Sequence, residues 1–376
     1  MKVLELLSSP VWTGPAEPMA SVARQLQARG HSVEVAVDAL RQGDLRAKLT
    51  GMGFTVRDDL ALSTKAGPIA VVRDLARLAR IGRGFDVVHA NFSHDQTLAV
   101  LALRRRGELR VVRTIHSSRA FGRLRGPVHR RTDGLIAVCE RHAERLRERF
   151  RISPERVVAI RGAVDCAVFT PQGPDLRQEL GIDLSAPVVG IVSRVKPGRG
   201  HADLLAAFAL VLEELPDARL VVVGRGEGLP ELEEGIELLG LREKVILAGY
   251  RTGAELAAAY RTFDVKVLMA EGNDGTCRAL LEAMACGRPA ISFAAGAPGE
   301  TIVDGDTGRL VDLAGDGRMI RAELALALVE LLSDRARAQA MGLAARERVA
   351  AFYTEEQRGA AVERFLDDVR RMPPVR

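Results

Sequence analysis

The chain has 376 residues, 47% hydrophobic and 27% charged, which predicts about two packed domains and excludes global disorder. Its four cysteines, Cys139, Cys166, Cys277 and Cys286, show no CxxC spacing, which excludes a zinc ribbon or a disulfide framework and fits a reducing cytoplasm. The net charge is +5, no window of about 20 apolar residues can span a membrane, and the apolar start reads as a first strand rather than a signal peptide.

In chain order, β-branched runs at 3–7, 32–37, 86–90, 110–116 and 135–139 alternate with amphipathic segments such as 19–29 and 71–81. After the first run comes Gly14, which either lets a ligand approach the backbone or is an ordinary loop glycine. His116 closes a strand and precedes Ser117 and Ser118. It stands either at the functional edge of an α/β sheet or as a buried, hydrogen-bonded side chain. His89 and His94 flank Asn91, but their spacing of five is not that of a zinc-binding helix, so no metal is expected there.

Residues 104–131 hold ten arginines and one acid, Glu108. That density reads as a solvated face or as attraction to an anionic membrane surface or acidic acceptor. With one aromatic, Phe121, the stretch offers no stacking platform, so nucleic acid is not an expected partner.

The rhythm repeats at 188–193, 219–224, 244–248, 265–269 and 290–293. Two such series predict two doubly wound, Rossmann-like α/β domains, with a ligand in the cleft between them. Pro171, Gly173, Pro174 and Pro187 interrupt the pattern, so the domains are expected at 1–170 and 171–350. In 351–376 a capping box, Thr354-Glu355-Glu356-Gln357, precedes Val362, Phe365, Leu366 and Val369 at helical spacing, a final helix that is a candidate to pack back on the first domain.

The second half carries the chemistry. Ser193–Gly200 follows a strand and precedes a helical pattern at 201–212, and its cations Arg194, Lys196 and Arg199 suit a diphosphate or form a solvated basic turn. Gly224-Arg225-Gly226-Glu227-Gly228 lacks the G-x-G-x-x-G spacing of a dinucleotide fingerprint. Asp304-Gly305-Asp306 has turn composition rather than that of a metal site. Asp274-Gly275-Thr276-Cys277-Arg278-Ala279-Leu280-Leu281-Glu282 sets two carboxylates eight residues apart, the first in a Gly-rich loop and the second about one turn into an apolar helix. A loop entering a helix suits a phosphate, and flanking carboxylates suit sugar hydroxyls.

These loops in this order resemble the retaining GT-B glycosyltransferases of family 4, over nearly the whole chain and most strongly at 187–310. The family's E-x7-E frame falls on Asp274 and Glu282, its basic loop on Arg194 and Arg199-Gly200, its histidine on His116 and its N-terminal glycine on Gly14. The resemblance implies that Arg194 and Arg199 neutralise the leaving diphosphate, and that Gly14 and the backbone at Gly275, Thr276, Cys277 and Arg278 add donors. Glu282 would then bind the ribose, Asp274 the donor sugar, and His116 would lie near its reacting face or 6-position. Four positions depart from the family: Asp274 for Glu (with Glu271 upstream as a substitute), Cys277 for glycine, Arg278 for an apolar residue and Arg199 for Lys. They imply an altered donor-sugar pocket.

The expected function is retaining transfer of a sugar from a nucleoside-diphosphate sugar to a glycan, lipid-linked or small-molecule acceptor, without a metal or other cofactor, in the cytoplasm or at the inner membrane face. The alternatives are a nucleotide-sugar epimerase on the same architecture and a non-catalytic nucleotide-sugar-binding protein.

Overall fold

The computed structural model describes residues 1–12, 14–103, 107–116, 122–269, 274–312 and 316–375, with the backbone alone at Arg123 and 274–276. The chain divides into two compact units, one of Met1–Gly162 joined by the segment from Glu355 onward, the other built between Ala163 and Thr354. The divisions after Gly162 and Thr354 compare with 170 and 350 from composition.

The first unit runs β1 (Lys2–Leu7), α1 (Ala16–Ala28), β2 (Ser32–Val37), α2 (Leu45–Gly51), β3 (Thr55–Arg57), α3 (Pro68–Ile81), β4 (Val87–Ala90) and α4 (Ser93–Ala102). It continues through β5 (Arg110–Ile115), α5 (Gly126–Arg130), β6 (Gly134–Ala137), α6 (Glu140–Phe150) and β7 (Val157–Ala159). The strands form one parallel sheet in the order β3-β2-β1-β4-β5-β6-β7. Central strands are buried on both faces, which is why β1, β4 and β6 read as largely apolar runs, whereas β5 buries Arg110, Arg113 and Thr114 among its apolar residues.

The second unit runs β8 (Val188–Val192), α7 (His201–Glu214), β9 (Arg219–Val223), α8 (Leu229–Leu238), β10 (Val245–Gly249), α9 (Gly253–Thr262) and β11 (Val265–Leu268). After it come α10 (Asp274–Ala285), β12 (Ala290–Phe293), α11 (Gly296–Thr301), β13 (Gly308–Val311), α12 (Gly317–Ser333) and α13 (Arg335–Phe352). Its parallel sheet has the order β10-β9-β8-β11-β12-β13. Together the two sheets make the expected two-domain α/β architecture of Rossmann-like units.

The final helix, α14 (Glu355–Arg371), belongs to the first unit. Val362, Phe365, Leu366 and Val369 enter the core formed by α1 and the first sheet. A Cβ at Gly134 on β6 would come within 2.8 Å of Val369 Cγ2, so the strand is kept bare for the helix to pass.

Three strands had no sequence signal: β3, β7 and β13 have three, three and four residues and lie at sheet edges. An edge strand pairs on one side and needs no long apolar run. The turn expected at Asp304-Gly305-Asp306 is followed directly by β13, which begins at Gly308.

The basic stretch is less of a surface than its arginine count suggests. The buried Arg110 guanidinium donates to the carbonyls of Val369, Arg370 and Met372, tying β5 to the end of α14. Arg113 is also buried, donates to Gln96 Oε1 at 3.2 Å, and is lowered by burial to about 10. Arg130 and Arg131 are exposed, whereas Arg104, Arg105, Arg106 and Arg119 lie outside the described residues.

Candidate functional site

The basic loop of the second unit connects β8 to α7, at the carboxyl edge of the sheet where open α/β folds bind ligands. Gly200 has a left-handed φ of 74°, and a Cβ there would stand 2.4 Å from Met269 Cβ, so both backbone and packing require glycine. No side chain caps α7, which leaves its first N–H groups and the positive end of its dipole beside Arg199. Burial, then the neighbouring Arg194, lower the Arg199 guanidinium from its ordinary value.

The second Gly-rich loop supports the first. Val195 N–H donates to Arg225 O at 3.1 Å, and Gly228 N–H to Val195 O at 3.1 Å. A Cβ at Gly224 would stand 1.9 Å from Ser193 O, and one at Gly226 1.9 Å from Val195 O. The three glycines let the loops lie backbone to backbone, which is a role other than nucleotide fingerprinting. Glu227 also reaches the basic loop: its Oε2 accepts from Arg194 Nε at 3.1 Å and Nη2 at 2.9 Å, with both side chains exposed.

Beneath the loop, His201 Nε2 lies 3.0 Å from Ser193 Oγ. Burial, with Lys266 and Arg199 nearby, lowers His201 to about 4, so the ring is neutral at pH 7. Lys266 on β11 is fully buried, and burial lowers it to about 7, partly opposed by Glu282.

That lysine gives a pH test. Its ordinary value is 10.5, so above pH 7 the folded chain releases a proton that the unfolded chain keeps, and stability rises with pH. Cys286, raised by burial from 9 to about 12, acts in the opposite direction above pH 9. The Lys266→Met protein should therefore exceed wild type in unfolding free energy at pH 7, with the difference shrinking by about 2 kcal/mol at pH 9. Urea unfolding at the two pH values measures it, and a difference independent of pH would refute it.

Helix α10 corrects the expected position of the two acids. Asp274 is its first residue rather than a loop residue, and Glu282 lies about two turns in, about 12 Å further along the axis. Only the backbone is described at 274–276, and Glu271 lies outside the described residues. Cys277 is buried. Glu282 is buried too: its Oε2 accepts from Tyr260 hydroxyl at 2.8 Å and its Oε1 from Arg278 Nε at 3.0 Å. Burial, then the Glu282 charge, raise the Tyr260 phenol well above its ordinary value, so it remains a donor. Sequence reasoning missed Tyr260 and Lys266. Tyr260 sits in an unremarkable helix, and Lys266 interrupts an apolar strand, the only signal either gave.

In the first unit, Gly14 lies between β1 and α1. A Cβ there would meet no atom within 4 Å, so local packing does not demand glycine. His116 follows β5, is buried, and its Nε2 lies 3.2 Å from Asn91 Oδ1. The structure thus joins Arg194 with Arg199 on one loop, and Cys277, Arg278 and Glu282 on one helix. Asp304 holds its turn, accepting from Leu310 N–H at 2.8 Å and Arg309 Nε at 3.2 Å.

Comparison with known proteins matches two family models: glycosyltransferase family 4 at residues 14–168 and glycosyl transferases group 1 at 173–348. A D-inositol 3-phosphate glycosyltransferase of Stackebrandtia nassauensis is 31% identical over 77% of this chain and 73% of its own. Another, of Segniliparus rotundus, is 33% identical over 57% of this chain; here the chain spans about half of the relative, 47%. Among solved structures, HepE of Anabaena in complex with UDP and glucose superposes with a TM-score of 0.81, 20% identity and coverage of 98% of this chain and 99% of that one.

Proposed function

The chain belongs to glycosyltransferase family 4, the group 1 glycosyl transferases, and from that premise we propose that it transfers a sugar from a nucleoside-diphosphate sugar to a glycan, lipid-linked or small-molecule acceptor, with retention of configuration. The observation that carries this reading is the loop of Arg194 and Arg199 running into the uncapped N-terminus of α7. As the glycosidic bond breaks, negative charge grows on the leaving phosphate. Fixed guanidinium groups and helix N–H donors stabilise that charge without reorganising. In the second unit, Glu282 is assigned to the ribose hydroxyls and Asp274 to the donor sugar, with backbone donors from Gly275, Thr276, Cys277 and Arg278; in the first unit, His116 is assigned to the donor sugar and Gly14 to donor binding. The cations meet the diphosphate charge, so the reaction proceeds without a metal.

HepE was solved with UDP, which supports a nucleoside diphosphate here, and the relatives named for inositol phosphate add a polyol phosphate to the acceptors worth assaying. Among the described residues no helix is long and apolar enough to cross a membrane. We propose peripheral contact with an anionic membrane at its cytoplasmic face, through the exposed Arg130 and Arg131.

One set of experiments tests this. UDP-, GDP-, ADP- or dTDP-sugar at about 100 times its dissociation constant should stabilise the protein by about 2.7 kcal/mol. Transfer should persist in EDTA, and proton NMR of fresh product should show the donor's anomeric configuration. No stabilisation by any nucleotide sugar sinks the donor reading, an inverted product sinks retention, and magnesium-restored activity sinks the metal-free route. Absence of co-sedimentation with anionic vesicles at low salt leaves the basic stretch a solvated face.

A further inference from the structure

Three neighbouring strands at the centre of the first sheet carry a buried polar chain. Glu5 on β1 and His89 on β4 are direct partners in register, and both are buried, as is Thr114 on β5. Glu5 Oε1 lies 2.8 Å from His89 Nδ1, and His89 Nε2 lies 2.8 Å from Thr114 Oγ1. The other Glu5 oxygen accepts from Asn91 Nδ2 at 2.9 Å. A carboxylate inside a parallel sheet is costly unless it is bonded, and both oxygens of Glu5 are.

This arrangement fixes a hydrogen position. Asn91 turns one end of its amide toward the Glu5 carboxylate and, at 3.2 Å, the carbonyl of Leu6. A carbonyl only accepts, so that end must be the NH2 group, and Oδ1 must face His116, as it does at 3.2 Å. An amide oxygen also only accepts. The hydrogen between them therefore sits on His116 Nε2.

We infer that Glu5 and Asn91 are positioning residues that hold His116 in its Nε2–H tautomer, making Nδ1 the acceptor nitrogen of the neutral ring. A group that hydrogen-bonds Nδ1 of this ring does so as a donor, such as a sugar hydroxyl, and not through a carboxylate or phosphate oxygen. The use of this tautomer in catalysis rests on the proposed placement of His116 at the donor sugar; the tautomer itself does not.

The test is nitrogen NMR of the full chain labelled with 15N-histidine, at a pH where the ring is neutral. The His116 signal is identified among the seven histidines by its loss in His116→Gln. Wild type should show a protonated Nε2 and an unprotonated Nδ1. In Asn91→Leu the pattern should move toward a mixture of tautomers and kcat should fall about tenfold, as for loss of one hydrogen bond. Glu5→Gln should shift the same signal through Asn91. A wild-type Nδ1–H pattern overturns the inference, as does a folded Asn91→Leu protein with an unchanged pattern. The wild-type spectrum decides even if both variants fail to fold. No substrate is present, so this failure is distinct from failure of the proposed activity, which appears as absent donor binding.

Discussion

Arg199→Ala should lower kcat by about 10²–10³-fold, equivalent to about 2.7–4 kcal/mol of transition-state stabilisation, as for removal of one preorganised donor. Arg199 is half-buried between two glycines of positive φ, Gly198 and Gly200, directly before the N-terminus of α7. Its charge is therefore fixed in place before substrate arrives. Arg194 is exposed where Arg199 is half-buried, and it pairs with the exposed Glu227. It must exchange that partner for phosphate, and exposed pairs are worth about 0–1 kcal/mol. Arg194→Ala should thus cost less, on the order of tenfold. Steady-state kinetics on the two purified, folded variants measure both effects. Wild-type turnover in Arg199→Ala would remove the diphosphate from this loop.

Glu282→Ala should act on folding and binding together. It deprives the buried Tyr260 hydroxyl of its acceptor, which costs about 1–3 kcal/mol of stability. It also removes the carboxylate proposed to hold the ribose, and hydrogen bonds to charged groups are worth about 1.5–3 kcal/mol, or roughly 10- to 100-fold in affinity for the free nucleoside diphosphate. Tyr260→Phe separates the two effects. It should cost about 1 kcal/mol of stability and leave affinity nearly unchanged, because Arg278 still holds the carboxylate. Chemical unfolding and titration calorimetry report the two quantities. Unchanged nucleotide affinity in a folded Glu282→Ala protein would move the ribose elsewhere.

The central strands are plain in the sequence because strands covered on both faces are mostly apolar, with single polar residues such as Glu5, His89 and Lys266 set into them. Ser32–Val37 and Ala290–Phe293 were located to the residue. Edge strands such as Thr55–Arg57 satisfy half a ladder and carry no such constraint. The basic loop and α10 were legible as motifs because their residues are contiguous. The start of α10 was not, since Gly275 and Thr276 are weak helix formers and the composition favours a loop. The network around Glu5 was invisible for a different reason: its members come from three segments more than twenty residues apart, and only the pairing of β1, β4 and β5 brings them together. Gly224, Gly226 and Gly228 show the same limit, since their demand for space comes from the backbone of another loop.

The return of α14 to the first unit affects how the protein is made. On the ribosome, the first sheet emerges well before the helix that completes its hydrophobic face, and the whole second unit is synthesised in between. Until then the β6 strand at Gly134 and the side of α1 that packs on α14 lack part of their cover. The earlier-born half therefore finishes last. It waits through nearly two hundred residues of translation (Ala163–Thr354) with an unfinished core, the stage at which such a chain is most exposed to aggregation or chaperone capture.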